Sequence, residues 1–347
     1  MSKLVFAGDF YYDYPYITDD IKKISEFVKK NDWSLIINLE APLVESDEPI
    51  KKRGPNLAQG KKAIEVMRML NVVGVCLANN HIMDYGEKAL LQTIQLLDEN
   101  GIAHCGAGNN LKEAKKPMCL EVDHQTLIVL NYGWDIEEVQ PAGINAAGAN
   151  TIDKQSVLEE IKKYSDSHAK VITIMHWGYE YNLLPQPYDV IFAHDMIEGG
   201  AGLVIGHHPH VIQAKDFYEQ RNIYYSLGNF YFGSRRKNYK KTFHSEYCNE
   251  CDYGLLLILD THDWTIKEAT IYYNKEIDAS LMTDSGYIVT DISNRSLNRQ
   301  YIREARQKKN HVNPFLTDHS LSDTIKLWYL QVIIRKVLRR VWLIAKK

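Results

Sequence analysis

Short apolar runs alternate with segments of helical periodicity over the first 260 residues of the chain. The runs that predict buried strands are KLVFAGD (3–9), SLIINLE (34–40), VVGVCLANN (72–80), TLIVLNY (126–132), KVITIMHWG (170–178) and AGLVIGHH (201–208). Amphipathic segments at 59–70, 86–101 and 153–167 lie between strands and predict helices. Because nearly continuous apolar strands alternate with helices, the pattern predicts an α/β protein whose sheet is covered on both faces.

The pattern changes toward the end of the chain. Apolar runs at 223–229, 253–260 and 264–273 follow one another without helices and predict an antiparallel portion. Beyond them the sequence becomes polar, and a strong helical period returns only in its last part. We therefore predict one domain over residues 1–280 and a helical appendage over residues 281–347.

Composition limits the class of protein. The 347 residues are 45% hydrophobic and 24% charged, as in an ordinary soluble protein, and the formal net charge of −3 gives no reason to expect nucleic acid as a partner. Five cysteines in a chain of this length do not make a disulfide framework. Neither a leader pattern at the start nor a run of about 18 apolar residues is present in the sequence. These features predict a cytoplasmic protein.

Polar side chains stand where the predicted strands end. The groups at these positions are Asp9, Asn38 to Glu40, Asn79 to His81, His176, and His207 to His210. Ligands of open α/β sheets bind outside the carboxyl ends of the strands, so we expect these groups on one rim. Each has a structural alternative: a cap, a hydrogen-bonded core histidine, or a surface turn around Pro209. Their combination favours a site for one or two divalent transition metal ions, Mn, Fe or Zn.

Six ordered motifs carry a resemblance to a known family. They are FAGDF, NLEAPL, LANNHIMDYGEKALLQTIQLLDENGIAHCGAG, HWGYEY, LVIGHHPHVIQ and YYSLGNF. In this order they resemble the bacterial capsule-synthesis CapA family, also called the poly-γ-glutamate synthesis (PGA_cap) family. Its fold is similar to that of the calcineurin-like metallophosphoesterases. Over residues 3–260 the resemblance implies a sandwich of two mixed β-sheets flanked by helices.

The resemblance also implies a metal centre. Its ligands would be Asp9, Glu40, Asn80, His176, His208 and His210, with His81 assisting the leaving group. Two positions depart from the metallophosphoesterase pattern, because Tyr11 replaces an expected histidine and Glu40 replaces an aspartate that bridges two metals. In addition, His207 occupies the position of a glycine. The departures at Tyr11 and Glu40 both affect the first metal, so whether two ions bind is left open.

Further residues are candidates for contact with substrate. Trp177 and Glu180 would shape the pocket, with a catalytic role for Glu180, although Trp177 is equally compatible with the core. Arg53 would pair with an anionic substrate and take part in catalysis, or it is a solvated loop charge. The remaining candidates for substrate binding are His207, Asn229, Arg235 and Arg236.

The resemblance implies a metal-dependent hydrolase with metal-bound hydroxide as nucleophile and His81 as proton donor. It would act in the biosynthesis or processing of an anionic cell-surface polymer, such as capsule, exopolysaccharide or poly-γ-glutamate, or of its lipid-linked precursor. The fold favours a phosphoester or pyrophosphate bond, whereas the family favours a γ-glutamyl amide. The alternative is a non-catalytic subunit that binds a polyanion or assembles with a membrane polymer synthase. Oligomeric state is not predicted.

The C-terminal segment 325–347 is amphipathic and basic. Its apolar stripe consists of Leu330, Ile333, Ile334, Val337, Val341 and Ile344, and no acidic residue follows Asp323. Such a helix suits the interface of an anionic membrane, which predicts a peripheral location at the inner face of the cell membrane. The alternative is a terminal helix packed on its own domain or on a second subunit.

Overall fold

The computed structural model describes residues 3–44, 48–52, 54–123, 125–134, 139–167, 169–233, 249–273, 279–282, 289–293, 301 and 304–305. Arg53, Arg235, Arg236 and the segment 325–347 lie outside the described residues. The boundary that the sequence predicts at residue 280 therefore stays a prediction.

The described part of the chain contains strands and helices in alternation. The strands are β1 (Lys3–Tyr11), β2 (Trp33–Leu39), β3 (Val72–Cys76), β4 (Ala103–Cys105), β5 (Ala107–Gly108), β6 (Met118–Val122), β7 (Gln125–Gly133), β8 (Gly148–Ala149), β9 (Lys170–His176), β10 (Leu203–His207), β11 (Lys215–Tyr218), β12 (Arg221–Tyr224), β13 (Asn229–Phe232), β14 (Tyr253–Leu259), β15 (Ile266–Tyr273) and β16 (Ala279–Met282). The helices are α1 (Asp19–Lys30), α2 (Lys62–Met69), α3 (Gly86–Glu99), α4 (Leu111–Ala114), α5 (Lys154–Ser165) and α6 (Pro187–Glu198), with a 3₁₀ turn at Asn249–Asp252.

Two mixed sheets form the centre of the fold. The first has the order β16-β15-β14-β1-β2-β3-β4, with β13 also pairing β1, and the second has the order β11-β12-β10-β9-β7-β6. In the first sheet β1 to β4 are parallel and β14 to β16 are antiparallel. In the second, β7, β9, β10 and β12 are parallel, and the outer strands are antiparallel.

Alternating side chains of the strands place the two sheets face to face. Leu4 and Phe6 of β1 share one buried cluster with Val129 of β7 and Ile172 of β9, so this cluster lies between the sheets. Neighbouring residues such as Val5 point to the opposite face, where they pack with α1, α2 and α3. The outer face of the second sheet packs against α5 and α6 in the same way. The predicted sandwich of two mixed sheets flanked by helices is confirmed.

One predicted strand ends earlier than the sequence suggests. The run 72–80 predicts a continuous strand, but β3 ends at Cys76. The Asn79 side chain then accepts hydrogen bonds from the backbone N–H groups of His81 (3.1 Å) and Ile82 (2.8 Å), which turns the chain away from the sheet. This turn carries Asn80 and His81 to the rim of the sandwich.

None of the helices in the described part of the chain combines the length and the apolar character that a membrane span requires.

Candidate metal centre

The carboxyl ends of strands from both sheets meet at one rim. In the first sheet Asp9 pairs in register with Asn38 on one side and with Asn229 on the other. In the second sheet His207 pairs with His176. A side chain at Gly8 is excluded, because its Cβ would lie 1.9 Å from the carbonyl oxygen of Gly228. The glycine before Asp9 thus allows the close approach of backbone that brings the carboxylate to the rim.

Two carboxylates lie buried beside each other. Asp9 and Glu40 have no exposed surface. The amide nitrogen of Asn38 donates to Oδ1 of Asp9 (2.8 Å) and to Oε2 of Glu40 (2.5 Å), and so links them. Among the described residues, their ion-pair partners within 4.0 Å are imidazoles, with no lysine or arginine. Burial of two acids without a cation is unfavourable, so this arrangement calls for a positive charge.

His176 and His208 face this carboxylate pair. Nε2 of His176 lies 2.9 Å from Oδ1 of Asn80 and 3.8 Å from Oε1 of Glu40. One ligand atom from each of Asp9, Glu40 and His176 falls within 4.8 Å of the others. The His208 ring centroid is 4.8 Å from that of His176, and neither ring nitrogen of His208 has a hydrogen-bond partner. These atoms are positioned as a set of ligands around one small volume.

His210 and His207 contact Asp9 from the second sheet. Nδ1 of His210 lies 3.2 Å from Oδ2 of Asp9 and 3.0 Å from Oδ1 of Asn229, and Nδ1 of His207 lies 3.5 Å from Oδ1 of Asp9. The three histidines of the HHPH motif are 1 to 8% exposed, so the motif is not a surface turn. His208 and His210 have positive φ angles of 97° and 57°. Such strained backbone is typical of functional sites.

The contacts of Asp9 and Glu40 give the two acids different properties. Burial would raise the pKa of Asp9, but the hydrogen bond and charge of His210, with the charge of His207, hold it below its ordinary value. Burial opposes protonation of His210, yet Asp9 outweighs it and raises the pKa of His210 to about 9. Burial and the nearby charge of Asp9 raise the pKa of Glu40 well above its ordinary value. The pKa values of the two acids are therefore shifted in opposite directions.

Burial favours the neutral form of three histidines of the centre, His176, His207 and His208. Burial, reinforced by the neighbouring His208, lowers the pKa of His176 well below its usual value. Burial also lowers the pKa of His208 to about 4 and that of His207 below its ordinary range. A neutral imidazole is the form that binds a metal ion.

The residues present fit a divalent transition metal. Buried atoms without a hydrogen-bond partner include Oε1 of Glu40, Nδ1 of His207 and both ring nitrogens of His208. Orphaned buried polar atoms are rare in folded proteins and indicate a missing partner. Nitrogen and carboxylate donors together suit Mn, Fe or Zn better than Mg or Ca.

A second group of charges holds His81, and two of its members were not predicted. Nδ1 of His81 lies 2.6 Å from Oδ2 of Asp84 and 3.1 Å from Nζ of Lys52. Lys52 also forms an ion pair with Asp84 and donates to the backbone carbonyl of Asn80 (3.1 Å). Asp84 stands three residues after His81, a local spacing that the sequence displays. Lys52 precedes Arg53, and only the contacts distinguish the two.

Three further candidates lie around the centre. Trp177 is buried, its indole N–H donates to the carbonyl oxygen of Tyr225 (3.0 Å), and it packs in the cluster under α6, which favours the core interpretation. Glu180 is exposed, and its charge acts on Glu40, His208 and His210, so its carboxylate lies at the mouth of the site. Asn229 is the first residue of β13, and its Oδ1 lies 3.0 Å from Nδ1 of His210.

The fold and this buried cluster of nitrogen and oxygen donors define a sandwich protein with a candidate metal centre at the carboxyl ends of its strands. The family described as "Bacterial capsule synthesis protein PGA_cap" matches residues 3–234. The chain belongs to this family, and the resemblance seen in the sequence motifs is confirmed.

Curated relatives carry related names. The capsule biosynthesis protein CapA of Bacillus anthracis is 31% identical over 225 residues, which cover 62% of this chain and 54% of that protein. The PGA biosynthesis protein CapA of Bacillus subtilis is 32% identical over 181 residues, covering 51% and 47%. A probable polyglutamine synthesis accessory protein of Mycobacterium tuberculosis is 25% identical, covering 56% and 54%. The chain thus matches about half the length of these relatives.

Solved structures show a more distant likeness. A putative 5′-nucleotidase from Staphylococcus aureus aligns with a TM-score of 0.44 and 13% identity over 89% of this chain and 58% of that one. An NAD nucleotidase from Haemophilus influenzae aligns with a TM-score of 0.44 and 10% identity over 96% and 60%.

Proposed function

We propose that this protein is a metal-dependent hydrolase that acts in the biosynthesis or processing of an anionic cell-surface polymer. The observation that carries the proposal is the convergence of buried ligand atoms from Asp9, Glu40, His176 and His208, several without hydrogen-bond partners. The class of polymer is suggested by the names of the relatives, which refer to capsule, PGA and polyglutamine synthesis.

The ligand residues divide between the two sheets. Asp9, Glu40 and Asn80 would contribute oxygen atoms from the first sheet, while His176, His208 and His210 would contribute nitrogen atoms from the second. A divalent transition ion held there supplies a Lewis acid and a water of lowered pKa. The turn that carries His208 and His210, together with Glu180 at the mouth of the site, would surround the bond of the substrate that is cleaved.

His81 is the proposed proton donor to the leaving group. Because Asp84 engages Nδ1 at 2.6 Å, proton exchange with the substrate falls to Nε2. Lys52 balances the charge of Asp84 and fixes its position. His81 is 5% exposed, so its ring is held at the floor of the site and is not free to rotate in solvent.

The substrate is proposed to be an anionic polymer or its lipid-linked precursor. Arg53, Arg235 and Arg236 remain predicted contacts for its charges. The bond is a phosphoester or pyrophosphate, or alternatively a γ-glutamyl amide, and the two classes are distinguished by experiment.

The test combines metal analysis with a substrate screen. Purified protein is analysed for transition metals, and then assayed with a nitrophenyl phosphodiester, pyrophosphate and a γ-glutamyl anilide, before and after treatment with a chelator. Bound metal and chelator-sensitive turnover of one class support the proposal. Folded protein that takes up no Mn, Fe or Zn and hydrolyses none of these compounds contradicts it. Binding of poly-γ-glutamate by such protein would favour a non-catalytic assembly subunit.

A peripheral location at the inner face of the cell membrane is also proposed, from the basic amphipathic sequence of residues 325–347. The full chain should sediment with anionic liposomes at low salt, and a chain ending near residue 320 should remain in the supernatant. Equal behaviour of the two chains, or binding that ignores lipid charge, would contradict this location.

A further inference from the structure

The first-sheet side of the centre lacks an imidazole at position 11. Tyr11 stands on the same strand as Asp9, and its ring packs against Phe232 at 5.3 Å between ring centroids. It is buried in a small apolar cluster with Ala41 and Leu57. A tyrosine side chain has no nitrogen atom, so any nitrogen ligand beside Asp9 must come from another residue.

His207 lies where such a nitrogen is needed. It is the last residue of β10 and is 2% exposed. Within the described part of the chain its Nδ1 has no hydrogen-bond partner, and this atom lies 3.5 Å from Oδ1 of Asp9. The other oxygen of Asp9 faces Nδ1 of His210 at 3.2 Å. Asp9 is therefore placed between two imidazoles that arrive from the second sheet.

The donors of the centre separate into two groups. One group consists of Asn80, His176 and His208, which are joined by the 2.9 Å contact of His176 with Asn80 and by the ring contact of His176 with His208, tilted at 53° with the centroids 4.8 Å apart. The other consists of Asp9, His207 and His210. Oε1 of Glu40 lies between the groups, 3.8 Å from Nε2 of His176 and 4.0 Å from Nε2 of His210, and has no hydrogen-bond partner.

Two other roles for His207 fit the geometry less well. A contact with substrate requires access, yet the side chain is 3% exposed and lies against buried Asp9. A purely structural hydrogen bond to Asp9 requires a shorter distance than 3.5 Å, because such bonds normally fall between about 2.7 and 3.2 Å. A buried nitrogen that is just too far for a hydrogen bond, beside a carboxylate oxygen, is the arrangement expected of two ligands that share a cation.

We infer that His207 is a ligand of a second divalent transition metal ion, held together with Asp9 and His210, so that the centre binds two ions with Glu40 between them. The inference rests on the proposed function, because it takes the cluster to be a metal centre. His207 then replaces the nitrogen that position 11 does not provide.

The test measures metal stoichiometry and not activity. Chelator-treated protein is reloaded with Mn²⁺ and analysed by elemental analysis and by electron paramagnetic resonance. The wild-type protein should bind two ions per chain and give the spectrum of an exchange-coupled pair. His207→Gln should bind one ion and give the spectrum of an isolated Mn²⁺, with affinity for the second ion lowered by more than about 100-fold, since even outer partners of ligands contribute 10- to 100-fold. His104→Gln changes a half-buried histidine of β4 that is paired with Asp98 of α3, and this variant should still bind two ions.

The melting temperature of the chelated proteins separates a ligand from a structural residue. A ligand role predicts that wild-type protein and His207→Gln melt alike without metal and diverge when Mn²⁺ is added, because a bound ion stabilises only the protein that binds it. A structural role predicts that the difference is already present in the chelated proteins. His207→Asn serves as a second variant if His207→Gln does not fold.

Each outcome bears on one of the two proposals. One ion in the wild-type protein, or two ions in His207→Gln, would overturn the inference and leave a metal-dependent hydrolase in place. No ion in folded wild-type protein would overturn the proposed function itself.

Discussion

The two sheets supply opposite chemistry to the same rim. The first sheet contributes the acid and amide side chains of Asp9, Glu40 and Asn80, whereas the second contributes imidazoles from the ends of β9 and β10 and from the turn that follows β10. The first sheet buries two acids, whereas the second buries three imidazoles of lowered pKa together with His210, whose pKa Asp9 raises to about 9. Charge compensation therefore runs across the sandwich, from one sheet to the other.

The two acids show how much the opposite sheet contributes. Asp9 faces His210 directly, and that contact offsets its burial and holds its pKa low. Glu40 lies farther from the imidazoles, at 3.8 Å and 4.0 Å, and its pKa is raised by burial and by Asp9. Direct contact with an imidazole thus offsets burial at Asp9, whereas the more distant imidazoles do not offset burial and the charge of Asp9 at Glu40.

The largest expected effect comes from replacing one of the histidine ligands that the second sheet contributes. His176→Ala or His208→Ala should abolish activity and the ion that Asn80, His176 and His208 hold, while the protein stays folded, because each change removes one of about four ligands of that ion. The ion assigned to Asp9, His207 and His210 is the most that either variant should retain. Elemental analysis of chelated and reloaded protein measures the loss. His104→Ala, which lies on β4 away from the rim, is the matched control and should retain wild-type metal content. Unchanged metal in both site variants would remove them from the ligand set.

Replacement of His81 tests whether the first-sheet side of the centre contributes a proton donor as well as metal ligands. His81→Asn should retain bound metal and lower the turnover rate by roughly 10²- to 10⁴-fold, the usual contribution of general acid–base catalysis. The measurement compares metal content and kcat in the same preparation. If metal disappears together with activity, His81 belongs to the ligands and the division of roles proposed for the first sheet is wrong.

Most of the sandwich was predictable because its strands are regular. The nearly continuous apolar runs of β1, β2, β7 and β9 indicate buried strands, and the polar residues that follow them indicate the rim, which depends only on strand direction. The end of β3 was not predictable from apolar character, because Leu77 and Ala78 continue the run although the chain has left the strand. The boundary is set by the Asn79 side chain, which accepts hydrogen bonds from the backbone N–H groups of His81 and Ile82, and apolar periodicity does not report such contacts.

Contacts between distant segments limited prediction of the site. Asn38 was visible as a polar residue at a strand end, but its link between Asp9 and Glu40 depends on parallel register. Lys52 and Arg53 are adjacent basic residues of one loop, and the sequence favoured Arg53. The buried contact of Lys52 with Asp84 arises from packing across 32 residues of chain, which no local pattern reports.

Lys52 supplies a cation on the first-sheet side of the centre, so it can be compared with the imidazoles that the second sheet supplies. The side chains of Lys52 and Asp84 are 7% and 1% exposed. Lys52→Met should lower the free energy of unfolding of chelated protein by about 3 to 5 kcal/mol, because it leaves Asp84 as a buried charge without its cation. Chemical denaturation measures this change.

Two controls sharpen that result. Lys22→Met removes an exposed pair with Asp19 and should leave stability nearly unchanged. The double variant Lys52→Met/Asp84→Asn should be destabilised by less than the sum of its single changes, because no buried charge remains. Additive losses would mean that the two side chains do not act as a pair.

The smallest effect concerns a buried acid that faces no imidazole. Asp189 of α6 is 3% exposed, and its carboxylate accepts a hydrogen bond from the backbone N–H of Gln186 (3.1 Å). Burial raises the pKa of Asp189 to about 7, although the bond from Gln186 opposes the shift. Asp9, equally buried but opposite His210, shows the reverse direction. The contrast isolates what the facing imidazole contributes.

The raised pKa of Asp189 predicts how stability depends on pH. Its folded-state value of about 7 lies above the ordinary value of 3.8, so the stabilising contribution is fully present below about pH 4 and is lost as the pH rises through about 7. Between about pH 5 and pH 8 the loss amounts to roughly 2.5 kcal/mol. Asp189→Asn keeps an oxygen acceptor for Gln186 and cannot ionise, so its unfolding free energy should fall less over this range. Denaturant unfolding of chelated protein at each pH measures the slope, with the exposed Glu159→Gln as a control that should leave it unchanged. An equal slope in wild-type protein and Asp189→Asn would show that Asp189 is already ionised at neutral pH, and burial without a facing imidazole would then not be enough to hold a proton on this acid.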